Sequence, residues 1–177
     1  MPRLLALPLL LVALAAVVLP ATAAPAPDRT LATVGTLVVP ASQYKHWGKI
    51  EHKSEPHASS SARRKATMQF LLSSDWIRGE AAEQGIKVTS KQVDKEFAKS
   101  KHQAFKTEKA FQRFLKQTGQ TVADIKYRTR IDMLSARIQK AGIPDDFETK
   151  WKSRTLCAAD YTVTDYCGGT LTPATSG

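Results

Sequence analysis

Beyond residue 40 the apolar positions recur at helical spacing, and the breaks between them are short and polar. Tyr44 and Trp47 mark a first helix over about 41–53, and SEPHASSS follows as a polar linker with Pro56 as its breaker. Met68, Leu71, Leu72, Ile77 and Ala81 then form a stripe that predicts a long helix over 62–84, ended by Gly85. Val93 and Phe97, at i, i+4, give a third helix its apolar pair. Phe111, Phe114 and Leu115 give a fourth its apolar edge before Gly119. Ile125, Tyr127, Ile131, Leu134 and Ile138 make a fifth, closed by Gly142 and Pro144. Phe147 and Trp151 predict a last short helix over about 145–154. Start signals agree with these periods: Thr89 stands three before Gln92, Thr121 three before Asp124, and Thr107 opens TEKAFQRFLKQ.

Ahead of the helices, LATVGTLVVP is one short β-branched run, which reads as a single strand or an extended arm. No internal repeat is present, and the connections are short. The expectation is therefore an all-α bundle of five to six helices, with a short N-terminal extended arm and a C-terminal loop closed by a disulfide.

The first residues change the compartment. MPRLLALPLLLVALAAVVLPATAAPAP carries one basic residue, an apolar run from Leu4 to Leu19, and Ala21-Thr22-Ala23 at its end, the pattern of a secretory signal. We read 1–23 as a signal peptide cleaved after Ala23; the alternative is an uncleaved anchor, for which the run falls short of the ~20 residues that span a bilayer. The division that follows is 24–32 as a disordered Pro/Ala-rich linker, 33–155 as the helical domain, and 156–177 as disulfide loop and flexible tail. Export makes a bridge between Cys157 and Cys167 the expected state of the pair, ahead of free thiols or metal binding. In the intervening AADYTVTDY the β-branched and aromatic residues alternate as in a strand, so a small hairpin or loop is expected there.

Composition then narrows the function classes. The chain has 177 residues, Lys+Arg 26 against Asp+Glu 16 and a net charge of +10, which leaves room for one ordinary domain with a positive field. It has no second apolar run, so a multi-pass membrane protein is excluded. His46, His52, His57 and His102 show no metal-ligand spacing, and neither a nucleophile elbow nor a phosphate-cradling glycine loop occurs. No catalytic constellation, cofactor or metal is therefore expected. Arg63-Arg64-Lys65 and KQVDKEFAKSKHQAFKTEKAFQRFLK give basic helix faces, which read first as solvated surface and second as a means of attracting anionic lipid, envelope polymer or acidic polypeptide. Phe97, Phe105, Phe111 and Phe114 interleave with lysines, but their helical spacing and the export signal favour core or peptide groove over nucleic acid.

Several linked motifs carry a resemblance. VGTLVVPASQYKHW is followed by QFLLSSDWIRGEAAEQGIKVTSKQVDKEF, with Glu80-Ala81, Gly85, Val88-Thr89, Val93 and Phe97 in place, and then by FQRFLKQTGQTVADIKYRTRIDML, with Phe111, Phe114-Leu115, Gly119, Thr121 and Asp124-Ile125. Over 33–143 this pattern resembles the N-terminal chaperone domain of the SurA family of exported foldases, which includes PrsA-like and PpiD-like proteins. WKSRTLCAADYTVTDYC is similar to the C-terminal end of exported multi-domain foldases. Family members commonly carry a parvulin-type prolyl isomerase domain before the terminal helix, whereas here Ile143 is followed within a few residues by the Phe147/Trp151 helix. The resemblance thus implies ATP-independent chaperone activity without isomerase chemistry. A second departure is Val34-Gly35 where relatives have Val-Asn-Gly.

A holdase needs apolar surface rimmed by charge. Phe70, Trp76, Phe105, Phe111, Met133 and Trp151 are the candidate client-binding residues, and a core contact is the competing reading for each. The expected partners are unfolded or exported polypeptides. The rival reading is a basic cell-envelope protein that holds anionic polymer or lipid.

Overall fold

The computed structural model describes residues 28–172. The expected signal segment, the start of the linker and the end of the tail lie outside the described residues. Within them are two strands, β1 (Thr30–Val34) and β2 (Leu37–Pro40), and six helices. The helices are α1 (Ala41–Ser54), α2 (Ser60–Glu83), α3 (Ser90–Ala104), α4 (Glu108–Thr118), α5 (Val122–Ala141) and α6 (Phe147–Ser153). Strand β3 (Thr155–Cys157), a 3-10 turn over Ala159–Tyr161 and β4 (Gly169–Thr170) complete the order.

Helices α3, α4 and α5 start where the sequence marks them. Thr89 and Thr121 form reciprocal capping boxes with Gln92 and Asp124, and the Thr107 hydroxyl accepts from the Ala110 amide. Ser59 caps α2 by accepting from the Ala62 amide at 3.1 Å, so that helix begins two residues earlier than its apolar stripe indicates.

The fold is mostly helical, and the all-α expectation is corrected by a four-stranded sheet in the order β2-β1-β3-β4. The N-terminal run is a hairpin rather than a single strand. Gly35, with φ of +56°, takes the first place of its two-residue turn, where a left-handed backbone is needed. β1 also pairs antiparallel with β3, matching Ala32 to Cys157 and Val34 to Thr155, and β3 pairs parallel with β4. Two boundaries shift as a result: the expected linker gives way to β1 at Thr30, and β3 runs across the expected division at 155/156. The segment between the cysteines is a 3-10 turn followed by tight turns, not a hairpin, because its amides bond locally. Tyr161 donates to the Ala158 carbonyl, while Tyr166 and Cys167 both donate to that of Val163. Cys157 and Cys167 are disulfide-bonded, with Cα atoms 5.9 Å apart.

The main core lies between the sheet and α2. Ala32, Val34, Val39 and Cys157 meet Trp47, Ile50, Met68, Leu71, Leu72, Trp76 and Trp151, and Val163 anchors the disulfide loop on the same cluster. A second cluster joins Ala81, Val88, Val93, Leu134 and Ile138 where α2, α3 and α5 meet. Arg130 and Arg137 tie α5 to the α2–α3 connection by donating to the carbonyls of Val88 and Lys87.

Candidate functional site

An apolar groove of about 210 Å³ opens between α2, α5, the start of α6 and the disulfide loop. Helix α2 brings Trp76 and Ile77, α5 brings Ile138, α6 brings Phe147, and the loop brings Tyr166. Aromatic packing fixes the floor: the Trp76 ring lies 4.8 Å from Tyr166 and 6.2 Å from Phe147. The Trp76 Nε1–H donates inward to Thr155 Oγ1 at 2.8 Å, and that hydroxyl donates to the Trp151 carbonyl at 2.7 Å. With its polar atom satisfied beneath, Trp76 presents only carbon to the groove.

The rim depends on a helix stop. Gly142 ends α5 with φ of +101°, and Pro144 disfavours helical backbone at the residue before it. Ile143 is held between the two and stands 54% exposed at the groove edge. Ser73, Ser135, Gln139 and Glu148 supply the polar margin. The groove has room for one or two apolar side chains, and its largely apolar lining suits them.

Of the six candidate residues, Trp76 alone lines this groove. Trp151 is 3% exposed, and its indole N–H donates to Glu80 Oε2 at 2.6 Å; Phe111 is 2% exposed beneath Phe97 and Phe105. Both are interior residues; Trp76 is itself only 5% exposed and differs in forming part of the groove floor. Phe70 is half-buried, with its ring 4.5 Å from Trp47 and the Arg128 guanidinium 4.3 Å above it. Phe105 packs on Phe111 and Phe114, and Met133 packs on the second cluster. The groove residues missed from the sequence are Ile143, Phe147, Tyr166, Ile77 and Ile138. Ile143 alone has a local signal, as an apolar residue off the helical stripe between Gly142 and Pro144.

Behind the groove, α6 is fastened to α2 through a buried carboxylate. Glu80 receives Trp151 Nε1, Gln84 Nε2 at 2.8 Å and Lys150 Nζ at 2.5 Å; Lys150 and Arg154 also reach Glu83. Burial raises the Glu80 pKa, but these hydrogen bonds and the Lys150 charge outweigh it and hold the carboxyl below its ordinary range. Asp75, also on α2, goes the other way: burial raises its pKa, and the Arg78 pair at 2.6 Å offsets this only in part. His46 Nε2 meets Asp124 Oδ1 at 2.7 Å and joins α1 to the first turn of α5.

Among the described residues no cluster of three or more His, Cys, Asp or Glu is placed to hold a metal, and no helix is long and apolar enough to cross a membrane. No family model, curated protein or solved structure matches this chain.

Proposed function

We propose that this chain is an extracytoplasmic, ATP-independent chaperone or foldase-like protein of the SurA N-terminal type, which binds unfolded or exported polypeptides and works without an isomerase domain. The observation that carries the reading is the groove around Trp76, an apolar slot with a half-exposed isoleucine at its rim. Such a slot accepts an aliphatic or aromatic side chain of many different segments without demanding a fixed hydrogen-bond pattern. Three further features support it: the linked motifs over 33–143, the net charge of +10 that keeps a loaded complex soluble, and a disulfide that hints at an oxidising compartment.

The test is a titration of the oxidised protein against a fluorescent unfolded polypeptide and against an anionic polymer, each at about 0.1 M and about 1 M salt, where the Debye length falls from ~10 Å to ~3 Å. Polypeptide binding that survives high salt is the expected result. Loss of all binding at high salt would replace the groove by the basic faces as the recognition element.

A further inference from the structure

A second recess, of about 260 Å³, lies against the disulfide loop, shares no lining residue with the groove and has a different chemistry. Arg64 and Lys65, in the second turn of α2, line one wall. Neither has a carboxylate within ion-pair distance among the described residues. The other wall is the loop between the cysteines, which supplies Asp160, Tyr161 and the hydroxyl residues Thr162 and Thr164. Tyr44 also lines it, with its ring 5.0 Å from that of Tyr161 and nearly perpendicular to it, together with the buried Met68 and Val163. The Arg29 guanidinium stands 5.9 Å from the Tyr161 ring centre.

We infer that this recess binds a phosphorylated polyol, that is, a phosphate ester whose remaining carbons carry hydroxyl groups. Two free cations on one wall suit a phosphoryl group, since charge-assisted hydrogen bonds to phosphate are the strong ones and arginine adds planar, two-point recognition. Asp160 opposes a simple polyanion but accepts hydrogen bonds from hydroxyls. The threonines and tyrosines extend that polar lining, and the Tyr161 face offers a carbon ring edge something to lie on. A purely acidic peptide would use the cations and leave Asp160 repelled. A neutral sugar would leave Arg64 and Lys65 without a purpose. The recess also continues: a neighbouring one of about 220 Å³ shares Tyr44 and Arg64 and is lined by Gly48, Ser60, Arg63 and Thr67, so a ligand longer than one unit has a path along α2. This site does not depend on the Trp76 groove, and either reading can fail alone.

Glycerol 3-phosphate is the probe, with inorganic phosphate, glycerol and a short glutamate peptide as controls, followed by amide and aromatic NMR shifts on the oxidised full chain. Shifts centred on Tyr44, Tyr161 and Thr162 with glycerol 3-phosphate, weaker with phosphate and absent with glycerol, are expected. Arg64→Ala with Lys65→Ala should weaken binding at least about tenfold with unchanged melting, as both side chains are exposed. Asp160→Asn should tighten inorganic phosphate and weaken glycerol 3-phosphate, lowering the ratio of their affinities at least about threefold. Shifts spread over all basic faces, an unchanged ratio in Asp160→Asn, or a glutamate peptide that binds the recess as well as glycerol 3-phosphate would overturn the inference. Shift mapping on the unmodified chain still decides the location of binding and the comparison with the glutamate peptide if a variant fails to fold.

Discussion

The indole ring of Trp151 lies on Gly79, in the space that a Cβ at that position would fill. A glycine inside a helix costs about 1 kcal/mol relative to alanine, so Gly79, four residues before the end of the 24-residue α2, calls for a reason, and the close approach of α6 is that reason. Adding one methyl group there forces either the ring or the helix to move. Gly79→Ala should therefore destabilise the protein by about 1–3 kcal/mol despite its better helix propensity, read from urea unfolding. An equal or higher midpoint would show that Trp151 is free to shift.

The same contact ends on a charge. Glu80, 1% exposed, takes the Trp151 N–H and the Lys150 ammonium, and its carboxyl is held below the ordinary range. A depressed carboxylate contributes stability above its unfolded pKa and loses it as the pH falls through the folded one. Glu80→Gln should cost about 2 kcal/mol at neutral pH, because Lys150 loses its buried partner. That deficit should shrink on acidification below the ordinary glutamate range. A gap between the two proteins that stays constant down to the acid transition would assign Glu80 a packing role only.

Asp75 has the opposite sign. Its burial raises the carboxyl pKa, so the folded state binds the proton more readily than the unfolded chain does, and this contribution weakens stability as the pH rises through the folded value. Asp75→Asn should remove that part of the pH dependence and change the neutral-pH midpoint little or upward, since its partner Arg78 is exposed enough to be solvated alone. Unfolding curves of Asp75→Asn that keep the full native pH profile would refute this assignment.

Local chemistry is legible in the sequence, and non-local pairing is not. The Thr89–Gln92 and Thr121–Asp124 boxes lie within one helical turn, so residue types and spacing suffice to place them. The Ala32–Cys157 pairing joins residues far apart in the chain, and β3 has three residues, too few to show a period. The candidate site divides in the same way. Trp76, Trp151 and Phe111 look alike in sequence as aromatic residues on helices and are all buried, and only the position of Trp76 beside α5 and the disulfide loop puts it in the groove floor. Ile143 escapes such a reading because its exposure is set by Gly142 and Pro144 rather than by any stripe.

The disulfide joins the two recesses mechanically. Residues between Cys157 and Cys167 supply Tyr166 to the apolar groove and Asp160 and Tyr161 to the polar one, while Val163 pins the loop to the core. Closing a loop with a sequence separation of 10 constrains the unfolded chain by about 2.8 kcal/mol in the entropic model. Replacing both cysteines by alanine should lower stability by roughly 2–4 kcal/mol and weaken polypeptide and glycerol 3-phosphate binding together. If stability drops and both affinities stay at their native values, the loop is held by Val163 and its neighbours rather than by the bridge.

Ile143 offers the cleanest separation of binding from folding. It is the most exposed large apolar residue described, so about half of its surface stays in water when the chain folds. A client side chain seated in the groove would cover it, and burying even about 60 Å² more apolar surface is worth roughly 1.5 kcal/mol, or about tenfold in affinity. Ile143→Glu puts a charge at that edge and should weaken polypeptide binding by about tenfold or more at high salt, with the melting temperature nearly unchanged. Trp76→Phe tests the floor: it keeps an apolar ring but removes the bond to Thr155, so it should lower both stability and affinity. An Ile143→Glu protein that binds unfolded polypeptide as well as the native chain would move the client site away from the groove altogether.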